Sequence, residues 1–143
     1  MSAVSHSLPL RVYYEDTDAG GIVYHANYLK FAERGRGEML RSLGFPYRKL
    51  GAEHGVGFAV RRCAVDYLSP ARLDDALTVD TMLGEVGAAT LRVRQQIRRA
   101  GQLLADLDIL VACIGRDGRP RRLPTELRAI LASDRHRAAS HAP

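Results

Sequence analysis

The chain has 143 residues, 46% hydrophobic and 26% charged, with a formal net charge of +5. That length and balance fit one ordinary globular domain with a single core. No run approaches the roughly 18 consecutive apolar residues of a membrane span, and "MSAVSHSLPLRVYYED" lacks the basic and apolar regions of a secretory signal, which points to the cytoplasm and to no integral membrane segment.

"LPLRVYYED" (8–16) reads as the first strand, with Pro9 suiting an edge or a strand start. One long helix is expected over 27–44. Asn27 is a good N-cap. Tyr28, Ala32, Gly35, Met39 and Leu43 recur on one face, with Leu29, Arg36 and Leu40 beside it. Gly44 supplies a stop, and Pro46 follows. Gly35 and Gly37 are odd here, since each costs ~1 kcal/mol relative to Ala. Gly35, on the apolar face, allows close approach to a sheet; Gly37 has no such account.

Four strands follow. "FAVRRCAVDYL" (58–68) alternates in part. In "ALTVDTML" (76–83), Leu77, Val79, Thr81 and Leu83 oppose Thr78 and Asp80. In "TLRVRQQIR" (90–98), Leu91, Val93 and Ile97 oppose Thr90, Arg92, Arg94, Gln96 and Arg98, as in a sheet with one wet side. "QLLADLDILVACI" (102–114) is longer and more apolar, hence central. The turn-like connections "GEVGA", "RAGQ" and "RDGRP" favour antiparallel pairing. "LPTELRAILA" (123–132) reads as a terminal helix with Thr125 as N-cap, and 133–143 as a polar, disordered tail. Arg116, Arg119, Arg121 and Arg122 read as a solvated loop. A lone amphipathic helix must bury its face on the only available sheet. The expected fold is therefore α+β, one domain over 1–132.

Cys63 and Cys113 lie in strand-like runs with no C-x-x-C, so zinc and thioredoxin-like chemistry have no support, and both read as small apolar residues. All but two of the 21 basic residues are Arg, an excess compatible with a phosphate-bearing ligand. These Arg residues are scattered and no aromatic-rich strand motif accompanies them, so nucleic-acid binding is not supported.

The chemistry concentrates in "DTDAGGIVYH" (16–25). As a calcium loop it fails: Gly20 offers no side-chain oxygen at loop position five, and Asn27 stands where a bidentate Glu is required. His25 with Asp16 and Asp18 makes only a weak metal set. No G-x-S-x-G, G-x-G-x-x-G or P-loop is present. The remaining reading is a turn that delivers Asp18 to a helix N-terminus, with Gly20 and Gly21 permitting the bend. Free N–H groups there suit a developing oxyanion, and a carboxylate nearby suits a general base or nucleophile. The plain alternative is a structural Asp in a glycine-rich turn.

"YYEDTDAGGIVYHANYLKFAERGRGEML" closely resembles the signature of the hot-dog-fold acyl-CoA thioesterases. The nearer resemblance is to the branch associated with the bacterial Tol-Pal system, the more distant to the 4-hydroxybenzoyl-CoA thioesterases. "FAVRRCAVDYLSPARLDDAL" is similar to the same branch, and the likeness spans roughly residues 10 to 130. It implies an antiparallel sheet wrapped around one long helix, and hydrolysis of acyl-CoA to acid and CoA. It assigns the catalytic carboxylate to Asp18 and the oxyanion contact to the His25 amide. The His25 ring has two readings, thioester contact or helix-entry packing. Tyr24 is implied as an acyl-pocket residue; Tyr14, Asn27 and Glu33 match as supports, with Asn27 also near the substrate. Arg61, Arg62, Arg92 and Arg94 are candidates for the CoA phosphates, with a solvated face as the alternative. No metal and no cofactor are implied. A homo-oligomer is, dimer or tetramer, with sites at subunit interfaces. The glycines in "ERGRGEML" depart from the good helix formers expected there.

Two rivals remain. An acyl-thioester dehydratase needs a His and an acid placed for proton removal, and the long helix carries no His. A non-catalytic binding module for acyl thioesters or an acyl carrier protein shares the pocket but does not need Asp18.

Overall fold

The computed structural model describes residues 4–140, with side chains through 134. In chain order they form β1 (His6–Arg11), a 3-10 turn (Tyr14–Asp16), α1 (Asn27–Ser42), α2 (Tyr47–His54), β2 (Val56–Tyr67), β3 (Ala76–Val86), β4 (Thr90–Arg99), β5 (Gln102–Gly115) and α3 (Thr125–Ser140). The strands make one antiparallel sheet in the order β1-β3-β4-β5-β2. Helix α1 lies across β1, β3 and β4. The α+β arrangement is the expected one.

Period-two alternation sets the inner face. Leu77, Val79, Thr81 and Leu83 of β3, Leu91, Val93 and Ile97 of β4, and Leu107, Ile109 and Val111 of β5 are all buried. Tyr28, Phe31 and Ala32 of α1 pack on one part of that surface. Met39 and Leu40 share a second cluster with Leu50 of α2 and Leu127 and Leu131 of α3.

At Gly35 the helix nearly touches the sheet. A Cβ there would stand 2.7 Å from Val79 Cγ1 and 3.0 Å from Gln95 Nε2. Gly37, unexplained by pattern, lies under the Tyr47 ring, which a Cβ would meet at 3.1 Å. The helix closes as expected around Gly44, at φ +88°. The Phe45 N–H donates to Leu40 O and the Gly44 N–H to Arg41 O, the paired bonds of a Schellman cap.

Several elements differ from expectation. The first strand ends at Arg11, because the Asp16 carboxylate accepts the Tyr13 N–H at 2.8 Å and folds 13–16 into a turn. Asn27 is the first helical residue and not the cap; Ala26 occupies that position. Leu29 is exposed because α1 does not cover the β2 side of the sheet. The short helix α2 was not expected; it is closed by Gly55 in the left-handed region at φ 64°. Helix α3 continues eight residues beyond 132, through Ser140, since Arg and Ala sustain a helix without an apolar face. The remainder of the expected tail, 141–143, lies outside the described residues. Cys113 is buried as expected, whereas Cys63 is exposed on edge strand β2.

The outer face carries a ladder of ion pairs. Arg92 meets Asp108 at 2.9 Å and Arg94 meets Asp106 at 2.8 Å, each through two hydrogen bonds. The Arg94 hydrogen bonds hold the Asp106 carboxyl below the usual carboxylate range, and those from Arg92 do the same for Asp108. A depressed folded-state pKa contributes stability above the unfolded carboxylate pKa, and that contribution is lost as pH falls through the folded value. Asp106→Asn is therefore expected to lower Tm slightly at pH 7 and to leave it unchanged at pH 2 to 3; melts across that range check it.

Candidate active site

Residues 16–25 form a small hairpin. Thr17 pairs with Val23, the Asp18 N–H donates to Ile22 O, and the Gly21 N–H donates to Asp18 O, with Gly21 at φ +82°. The base of the hairpin is tied by Asp16. Its carbonyl accepts the Tyr24 N–H at 3.0 Å and the Asn27 side-chain amide at 2.8 Å. Val23 N–H donates to Ala71 O, and Ala71 N–H donates to the Tyr28 hydroxyl. Asp16 and Asn27 are both buried. Of the two acids in "DTD", Asp16 is the one the fold uses.

Asp18 is exposed at the hairpin end. Its Oδ1 accepts the Gly20 N–H at 2.9 Å and the Ile22 N–H at 3.4 Å. Its Oδ2 accepts no hydrogen bond among the described residues, so the backbone orients the carboxylate through one oxygen.

His25 is exposed two residues before α1. Its N–H has no acceptor among the described residues. Its carbonyl, in the following peptide, accepts the Tyr67 hydroxyl at 3.0 Å. Its ring leans on Tyr24, centroids 4.6 Å apart, and meets the edge of Tyr67 at 6.2 Å. The ring contacts leave both readings of the imidazole in place. Tyr24 stands exposed at the same mouth.

Asn27 is buried with its amide donating to Asp16 O, so the structure gives it a supporting place in the hairpin. Arg61 is the extra residue of a bulge in β2, between Val60 and Arg62. It lies six residues from Tyr67, ~20 Å along a strand, so within one chain it does not join Asp18 and His25. Arg92 and Arg94 are paired with Asp108 and Asp106 on the outer face of the sheet, away from the hairpin. Neither thiol is an activated nucleophile. Desolvation pushes Cys113 up, and it pushes Cys63 up against the opposing pull of Arg36. Among the described residues no group of three or more His, Cys, Asp or Glu is placed to hold a metal ion, and no helix is long and apolar enough to cross a membrane.

Tyr67 is the residue that pattern reading missed. It ends an alternating strand, and only the fold brings it to His25. Tyr67→Phe removes one hydrogen bond worth ~1 kcal/mol. The expected result is a slightly lower Tm and a kcat/KM up to about fivefold lower; unchanged kinetics would remove Tyr67 from the site.

The chain matches the model of the thioesterase-like superfamily over residues 12–131. It is 45% identical over 126 residues to the acyl-CoA thioesterase YbgC of Haemophilus influenzae, covering 87% of this chain and 93% of that protein. It is 46% identical to the acyl-CoA thioester hydrolase YbgC of Escherichia coli, covering 83% and 90%. A probable thioesterase from Bartonella henselae superposes with a TM-score of 0.81 at 38% identity, covering 83% of this chain and 98% of that one. The hairpin, the helix it feeds and the antiparallel sheet around that helix therefore carry a family assignment: the chain belongs to the thioesterase-like superfamily of hot-dog fold, on the acyl-CoA thioesterase side of it.

Proposed function

We propose that the protein hydrolyses acyl-CoA thioesters to the free acid and CoA. The observation that carries the reading is one hairpin at the start of α1 that presents both an Asp18 Oδ2 and a His25 N–H without a hydrogen-bond partner among the described residues. The His25 amide donates to the thioester carbonyl oxygen and stabilises the charge that grows there. Asp18 either attacks the carbonyl carbon or removes a proton from the water that does so. The C–S bond breaks, CoA leaves as the thiolate and takes up a proton, and water supplies the oxygen of the acid. Tyr24 borders the acyl group, and Arg61 is kept for the CoA phosphates of a neighbouring site.

That last role needs a second copy of the chain. Strand β2 is an edge, and Val60, Tyr67 and Leu68 are about half exposed on and just past it, at 51%, 48% and 58%. Apolar side chains on an open edge call for a partner. A homodimer through β2 completes the site, and a tetramer is a further step. The unpaired thiols fit a cytoplasmic enzyme. An acyl carrier protein is an alternative bearer of the thioester.

The test is thiol release from a panel of short aliphatic, long aliphatic and benzoyl CoA esters, beside light scattering for mass. Turnover on at least one ester by a dimer or tetramer is expected. Absence of turnover on all of them would leave the acyl-thioester binding module in its place.

A further inference from the structure

Helix α1 and strand β2 run side by side in opposite directions. At one end the helix entrance meets the end of β2, where His25 and Tyr28 contact Tyr67. At the other, Arg36 lines a cleft with Glu33, Tyr47, Phe58, Val60 and Val111.

Arg36 is the unusual member. It is a cation only 8% exposed, and it forms no ion pair with any described carboxylate. Its Nη1 donates to Gln95 Oε1 at 3.0 Å, and the Tyr47 hydroxyl lies within hydrogen-bonding reach of the same guanidinium. Gln95 is fully buried and fixed in turn, donating to Ala32 O at 2.8 Å and Thr81 Oγ1 at 3.0 Å. A buried, rigidly held guanidinium with spare donors is costly unless an anion meets it. Burial pushes the Tyr47 hydroxyl up, against the pull of Arg36 beside it, and Glu33 of the same cleft adds to the rise.

Resting on the thioesterase reading, we infer that Arg36 binds a carboxylate at the far end of the acyl chain, so that ω-carboxyacyl-CoA esters of medium length are the preferred class. From Ala26 to Arg36 is about 15 Å of helix at 1.5 Å per residue. A helical side chain leans back toward the N-terminus, and the link from Arg36 through Gln95 to Ala32 O sets the guanidinium one turn, about 5.4 Å, nearer, which leaves about 10 Å. At ~1.2 Å per bond of extended chain, about eight carbons bridge it. Arg36 pairs with the carboxylate through two N–H donors, Gln95 keeps the guanidinium in place, and Phe58, Val60 and Val111 flank the methylenes.

The test compares octanoyl-CoA with suberoyl-CoA, equal in carbon count and different in a terminal carboxylate, on wild type, Arg36→Lys and Arg36→Met, with melts of each. The expected wild-type kcat/KM is about tenfold or more higher for suberoyl-CoA. In Arg36→Met that preference vanishes through KM while octanoyl-CoA turnover is kept, and Arg36→Lys restores part of it. A wild-type ratio near one overturns the inference, whatever the variants do. So does an equal loss on both esters in a folded Arg36→Met protein, which would make Arg36 purely structural. Octanoyl-CoA turnover without discrimination removes this inference alone; no turnover on either ester, or on the wider panel, removes the thioesterase reading with it.

Discussion

Asp18→Asn is expected to lower kcat on acyl-CoA by about a thousandfold or more while leaving Tm and acyl-CoA affinity unchanged. The substitution is nearly isosteric. The Asn carbonyl oxygen keeps the acceptor that Oδ1 offers to the Gly20 and Ile22 amides at 2.9 and 3.4 Å, so the hairpin is retained. What disappears is the charge on the free oxygen. Nothing in the core depends on Asp18, because the buried acid that ties the loop is Asp16. Steady-state thiol release with calorimetric titration of the same ester separates the two effects. A loss of only a few-fold would contradict a direct role for Asp18.

Gly35→Val is expected to be the most damaging single substitution in α1. The first added carbon already falls 2.7 Å from Val79 Cγ1, 3.0 Å from Gln95 Nε2 and 3.4 Å from Thr81 Oγ1. All three neighbours are in the buried interior of the sheet, where overpacking costs about 1–3 kcal/mol. The displaced Gln95 also loses its bonds to Ala32, Thr81 and Arg36, each worth ~1 kcal/mol or more. Together these give about 4 kcal/mol, or a Tm roughly 10–15 °C lower. Gly37→Ala is the control: its Cβ meets only the half-exposed Tyr47 ring at 3.1 Å, and the ~1 kcal/mol gain in helix propensity offsets the contact. Thermal melts of both variants check the contrast. A Gly35→Val protein as stable as wild type would mean that the helix does not rest on the sheet at that point.

The strands and α1 were legible because burial on one face writes a period into the sequence. Leu77, Val79, Thr81 and Leu83 show it directly, and Gly35 on the apolar stripe announced the close approach. Gln95 shares the inward parity of Val93 and Ile97 but is polar, so pattern alone gave it no role; its partners come from α1 and β3. Helix α2 has a single buried residue, Leu50, too few to leave a period. Asp18 and His25 stood out through a motif. Tyr67 did not, because its bond to His25 spans 42 positions of sequence. Arg92 and Arg94 stayed ambiguous for a related reason: an Arg on a strand face looks the same whether it awaits a phosphate or already holds an Asp. The division of labour in "DTD" is also a tertiary fact, decided by which acid faces Tyr13 N–H.

The most direct measurement is a crystal structure of the Asp18→Asn protein with an uncleaved acyl-CoA. The account predicts the thioester carbonyl oxygen about 3 Å from the His25 nitrogen, the carbonyl carbon beside residue 18, and the acyl chain directed along α1 toward Arg36. A thioester bound elsewhere, such as on the Arg–Asp ladder of the outer face, with the His25 amide still unoccupied, would contradict it.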